Sequence, residues 1–116
     1  MHELYIAESI IGSVKRSLPA GVTPESVCKV YVDVGRLDAV IPETLLFLFD
    51  AIKTSKQLPN AELVVNTVEV RCHCKHCGND FDLDSPVFIC PLCGGVDLDV
   101  SNGRGIILTR ITAEEE

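Results

Sequence analysis

The feature that most constrains this chain is a pair of cysteine doublets, Cys74-Lys-His-Cys77-Gly and Cys90-Pro-Leu-Cys93-Gly, with twelve residues between Cys77 and Cys90. A C-x2-C doublet brings two sulfurs together through a tight turn. The glycine that follows lets the backbone curl past the sulfurs and donate amide hydrogen bonds to them. Four thiolates suit a closed tetrahedral zinc site. Iron in a rubredoxin-like site uses the same ligands and spacing, and a pair of disulfides is the third reading. A stretch of roughly thirty residues has too little core to fold alone, so bound metal would supply much of its folding energy. Four sulfurs fill a tetrahedral site and leave no open position for a substrate, so the site suggests no catalysis. No nucleophile elbow, Walker loop, dinucleotide fingerprint or H-E-x-x-H accompanies it.

The rest of the chain frames that module. Five of the six cysteines fall between residues 72 and 93, and Cys28 stands apart. The first basic residue is Lys15, after Glu3 and Glu8, so no secretory signal is expected. The longest uncharged run, 85–96, has twelve residues, short of the ~20 a membrane helix needs. The expected compartment is the cytoplasm, where thiols stay reduced and six cysteines read as metal ligands before disulfides. Cys72, His73 and His76 crowd the first doublet and read as the end of an entering strand and exposed side chains; the alternative makes them a second, transient metal site. Cys28 reads as a small core residue. The 17 acidic against 10 basic residues, net charge −7, argue against a phosphate-backbone binder. The absence of Trp, with two Tyr and four Phe, leaves little for base stacking.

Periodicity predicts a helix over residues 3–18, with Leu4, Ala7, Ile10, Ile11, Val14 and Leu18 on one face. Residues 27–34 alternate as a half-buried strand, with Cys28, Val30, Val32 and Val34 inward and Gly35 closing it. A second helix starts near Pro42 and runs to about Thr54, presenting Leu45, Leu46, Leu48, Phe49 and Ile52. Residues 62–70 form a second strand and 106–111 a last one. The expected fold is α+β: two helices packed on a three-stranded sheet, with an inserted zinc-ribbon-like module. The expected domains are 1–70 plus 104–116, and 71–103.

Met1-His2-Glu3 offers a second metal site. Ni(II) with strong nitrogen donors favours a square plane. The Met1 amine and the His2 backbone nitrogen close a five-membered chelate ring, and the same nitrogen with His2 Nδ1 closes a six-membered one. Glu3, through its amide or its carboxylate, or an outside ligand, completes the plane. At the start of a helix these amides have no helical acceptor. Taken alone, the same residues more often form an ordinary mobile terminus.

A chain that opens Met1-His2-Glu3, carries Val32-Asp-Val-Gly35 with Pro42-Glu43 and Leu45, then Ala61-Glu-Leu63, and then the two cysteine doublets, resembles the HypA/HybF family of nickel metallochaperones across its whole length. The resemblance implies nickel at Met1, His2 and Glu3, and structural zinc at Cys74, Cys77, Cys90 and Cys93. It implies a carrier and not an enzyme, serving the [NiFe]-hydrogenase large subunit with a HypB-type GTPase as partner, and in some members urease maturation proteins; no nucleic acid and no membrane are expected as partners. The chain departs from the family in two places. Gly78 and Gly94 stand where some members carry a pH-sensing histidine, and Lys53-Thr-Ser-Lys56 replaces a frequent Gly-Thr. Two other functions stay in view: a zinc-ribbon adaptor binding nucleic acid or a transcription complex, and a rubredoxin-like electron carrier.

Overall fold

The computed structural model describes residues 2–83 and 88–114. In chain order its elements are α1 (Glu3–Ser17), β1 (Val27–Gly35), α2 (Pro42–Ile52), β2 (Glu62–Val68), β3 (Val70–Cys74), β4 (Asp80–Leu83), β5 (Leu98–Val100) and β6 (Ile106–Ala113). They form two compact units. The first comprises Met1–Asp33, Val40–Asn66 and Ile106–Glu116, the second Val34–Ala39 and Thr67–Gly105.

In the first unit, α1 buries Ala7, Ile10, Ile11 and Val14, the three- and four-residue steps of one helical face. Its first turn departs from the expected stripe. Glu3, four residues before Ala7, takes the inward position, and its Oε2 accepts the Ile41 amide at 3.1 Å. Leu4, one residue on and about 100° around the helix, is left 48% exposed. Helix α2 begins on Pro42, whose missing amide hydrogen costs nothing there. It buries Leu45 and Phe49, one turn apart, and packs on α1. Leu46 and Phe47 point outward, so the apolar face of α2 is narrower than expected. The sheet beneath has the order β2-β1-β6. Strand β1 supplies buried Val27, Val30 and Val32. The expected three-stranded α+β unit with its two helices is therefore present, with β1 as its central strand.

The second unit is a small sheet of order β4-β3-β5. Strand β3 pairs antiparallel with β4 (Val70↔Leu83, Cys72↔Phe81) and with β5 (Cys72↔Val100, Cys74↔Leu98). Its residues alternate, with Val70, Cys72 and Cys74 buried and Arg71 and His73 exposed. Val70, Cys72 and Leu83 form the core, flanked by Leu37, Phe81, Leu98 and Val100.

The packing divides the chain at different places from 1–70 plus 104–116 and 71–103. The expected strand 62–70 breaks at Glu69, and Val70 opens the next sheet. Residues 34–39 join the second unit through the backbone. The Gly35 amide donates to the Gly105 carbonyl at 2.9 Å and the Leu37 amide to the Gly103 carbonyl at 2.8 Å. Asp38 Oδ2 accepts the Gly105 amide at 2.7 Å, and Arg36 holds Glu69 at 2.6 and 2.9 Å. The connection between β5 and β6 runs so close here that a Cβ on Gly35 would overlap the Gly103 carbonyl, and one on Gly103 would lie 2.9 Å from Val70 Cα.

Candidate metal centre

The two cysteine doublets fold as repeated turns. In each, the glycine after the second cysteine adopts a positive φ, 79° at Gly78 and 73° at Gly94, a conformation that suits a residue without Cβ. The Gly78 amide donates to the Cys74 carbonyl at 2.8 Å, and the Gly94 amide to the Cys90 carbonyl at 2.9 Å. One residue further, the Asn79 carbonyl accepts the Cys74 amide and the Gly95 carbonyl accepts the Cys90 amide, both at 2.8 Å. The first cysteine of each turn, Cys74 or Cys90, is buried, and the second, Cys77 or Cys93, is exposed.

These turns bring the four sulfurs together. Cys74 Sγ lies 3.6 Å from Cys93 Sγ, Cys77 Sγ lies 3.6 Å from Cys90 Sγ, and all four lie within 4.8 Å of one another. A tetrahedron of sulfurs around a metal at about 2.3 Å has edges of about 3.8 Å, so the constellation has the size of a metal site. Its electrostatics agree. The Cys93 amide first, and then the Leu92 amide, draw the Cys90 thiol down to about 6. The Cys77 amide lowers Cys74 in the same way. At Cys93 the Gly95 amide also lowers the thiol, but partial desolvation of the sulfur and its three neighbouring sulfurs outweigh it and push it up to about 12. Four crowded thiols cannot all ionise by themselves; a divalent cation at their centre removes that repulsion.

The remaining candidates lie elsewhere. Cys72 belongs to the second unit's core and not to the sulfur group. Burial first, and then Asp82, raise its thiol. His73 Nδ1 is 2.6 Å from Asp80 Oδ1 on the exposed face of the sheet, and His76 is exposed within the first turn. Cys28 is half-buried, with Thr112 Oγ1 at 3.9 Å from its sulfur, and is less enclosed than expected. Among the proposed nickel ligands, Met1 lies outside the described residues. His2 is exposed at the N-cap of α1, and its carbonyl accepts the Ile6 amide at 2.9 Å. Glu3 is only 6% exposed. The N-terminal amine first, and then the Ile41 amide, hold its carboxyl down at about 2. The spacing of the cysteines was enough to nominate the four sulfurs. The carbonyls of Asn79 and Gly95 and the link from Glu3 to Ile41 had no motif to announce them.

Fold and site together define a small α+β metal-binding protein with a zinc-ribbon-like four-cysteine module. The chain belongs to the HypA family: the family model described as hydrogenase/urease nickel incorporation, metallochaperone, matches residues 1–113. That is a family of metallochaperones and maturation factors, not of enzymes. The hydrogenase maturation factor HypA of Desulfosudis oleivorans is 36% identical over 115 residues, covering 99% of this chain and 100% of that protein. Its counterpart in Chlorobium luteolum is 32% identical, covering 100% of this chain and 98% of that protein. In fold, the chain is similar to the solution structure of the Ni metallochaperone HypA from Helicobacter pylori, with a TM-score of 0.65, 19% identity and full coverage of both chains. Among the described residues, no helix is long and apolar enough to cross a membrane.

Proposed function

We propose that this protein binds Ni(II) at Met1, His2 and Glu3 and delivers it to the large subunit of a [NiFe]-hydrogenase in the cytoplasm, with a HypB-type GTPase as partner. Cys74, Cys77, Cys90 and Cys93 hold a structural zinc ion. The observation that carries this reading is the family match over residues 1–113. Urease maturation proteins are a second class of client, because the family description covers both enzymes. The placement of His2 supports the nickel site: it is exposed, and it precedes a helix whose first amides have no helical acceptors. Four thiolates of zinc-site dimensions support the zinc assignment.

The adaptor reading needs a basic surface, and the second unit gives it little. Arg36 is paired with Glu69, Arg71 with Asp82, and Lys75 with Asp97 and Asp99. A phosphate backbone would have to compete with those carboxylates.

The decisive test is the amine. Nickel is titrated into native and N-terminally acetylated protein at neutral pH, and the square-planar d–d absorption is followed. Acetylation removes one donor and leaves every side chain in place, so the acetylated protein should lose the band. Equal affinity and an identical spectrum would show that the amine is not a ligand, and attention would move to Cys72, His73 and His76.

A further inference from the structure

The two halves of the four-cysteine centre share a backbone pattern and part at one position. Asn79 in the first turn and Gly95 in the second play the same main-chain role, each accepting the amide of its turn's first cysteine. Asn79 carries a side chain there. At Gly95 the space is tight: a Cβ would lie 3.1 Å from Cys93 Sγ, so that sulfur would have to give by a few tenths of an ångström, with His76 Cβ at 3.7 Å and Cys74 Sγ at 3.8 Å in ordinary contact. Gly95 also differs from its neighbour. Gly94 has a positive φ and open space around its missing Cβ, whereas Gly95 has no positive φ and a crowded one. Conformation favours glycine at 94, and space favours it at 95. Through that space the Gly95 amide reaches Cys93 Sγ at 3.3 Å.

We propose that Gly95 is a positioning residue of the metal centre, whose bare α-carbon lets the Cys93 sulfur sit between its own amide and Cys74. The inference rests on reading the four sulfurs as a zinc site. Cys93 is exposed. Without metal its side chain can turn to another staggered rotamer and leave an added methyl group alone. With metal bound, the sulfur is fixed at one corner of the tetrahedron and cannot yield. The cost of a methyl group at 95 therefore falls on the loaded state and appears as lost affinity. An amide that hydrogen-bonds a metal-bound thiolate also orients that ligand and stabilises its charge, and a methyl group that pushes the sulfur aside weakens this bond too.

The test uses the full chain in three forms: wild type, Gly95→Ala and Gly94→Ala. Each reduced apo-protein is titrated with Co(II), which reports ligand geometry through its d–d bands. Zinc affinity is then read by competition with a chromophoric chelator. Because titration starts from the apo state, a variant whose second unit is unfolded without metal is still measurable. Gly95→Ala should bind zinc about tenfold more weakly or worse, with the cobalt bands displaced. Gly94→Ala strains the backbone only, and should keep the wild-type band positions at a smaller loss of affinity. Wild-type affinity and bands in Gly95→Ala would overturn the proposal. So would a loss of affinity with unmoved bands, which marks general destabilisation. A wild type without a tetrahedral thiolate spectrum would overturn the zinc reading itself, and the Gly95 proposal with it.

Discussion

The first unit buries Ile11, Val14, Val30, Leu45, Phe49 and Leu58 from two helices, a sheet and the segment after α2, whereas the second buries little beyond Val34, Val70, Leu83 and three cysteines. Each fully buried aliphatic or aromatic side chain contributes about 1.5–3 kcal/mol. The first unit therefore has an apolar core of the ordinary kind. The second has strands of five, four and three residues and few such side chains to oppose the entropy of ordering its loops. Packing holds the first unit, and on the zinc reading a metal at the four-sulfur centre would hold the second. Joined in one chain, the units should respond to different insults.

The largest effect should come from removing the metal. Structural zinc contributes an apparent ~10–16 kcal/mol to modules of this kind, more than the second unit's core can replace. Cys93→Ser, or a strong chelator at neutral pH, should collapse the backbone NMR dispersion of residues 67–83 and 88–105. The amides of α1 and α2 should keep their positions. Loss of dispersion in both units together would break the comparison and show one cooperative body. Zinc content equal to wild type in Cys93→Ser would remove Cys93 from the ligand set.

The reciprocal experiment is Phe49→Ala. Phe49 is fully buried in α2, and truncating a core phenylalanine costs about 3–5 kcal/mol. Denaturant melts followed on α1 and α2 amides should shift by that amount, while zinc stoichiometry and the cobalt spectrum stay unchanged. A variant that also loses zinc would mean that the second unit depends on the first unit's core.

The same contrast explains what could be read from the sequence. In α1 and β1 the side chains that make the core also set the local periodicity, so the element and its buried face are written together: Ala7, Ile10, Ile11 and Val14 announce both. Glu3 broke that pattern because its inward position depends on partners beyond helical periodicity, among them the amide of Ile41, far away in sequence. In the second unit the elements are too short for a period to appear. Strand β5 has three residues, and the attachment of residues 34–39 depends on bonds such as Leu37 to Gly103 that no local pattern encodes. The four-sulfur group was legible because a pair of C-x2-C turns needs fixed spacing. Gly95 was not, because its requirement is space in three dimensions, and two adjacent glycines do not say which of them is needed for conformation and which for room. Met1-His2-Glu3 can form chelate rings, but three residues carry no periodicity, so it is the family resemblance that points to nickel there.

Strand β3 sets the two kinds of support side by side. Cys72 and Cys74 are both buried and share one face of the same strand. Cys74 Sγ belongs to the sulfur group, while Cys72 packs with Val70 and Leu83 and lies outside it. Cys72→Ser is therefore a packing substitution and not a ligand substitution. It trades a weakly polar thiol for a hydroxyl in an apolar setting, where burying a hydroxyl without a good partner costs about 1–3 kcal/mol. It should be the smallest of the three effects, because the volume is nearly kept and a metal bound by the four sulfurs would still clamp the module. Zinc content should remain one per chain and the cobalt spectrum should match wild type. The change should appear as a lower thermal midpoint of the second unit, leaving the first unit's amides untouched. Loss of zinc in Cys72→Ser, with retention in Cys74→Ser, would show that the first doublet's ligand is the sulfur two residues earlier.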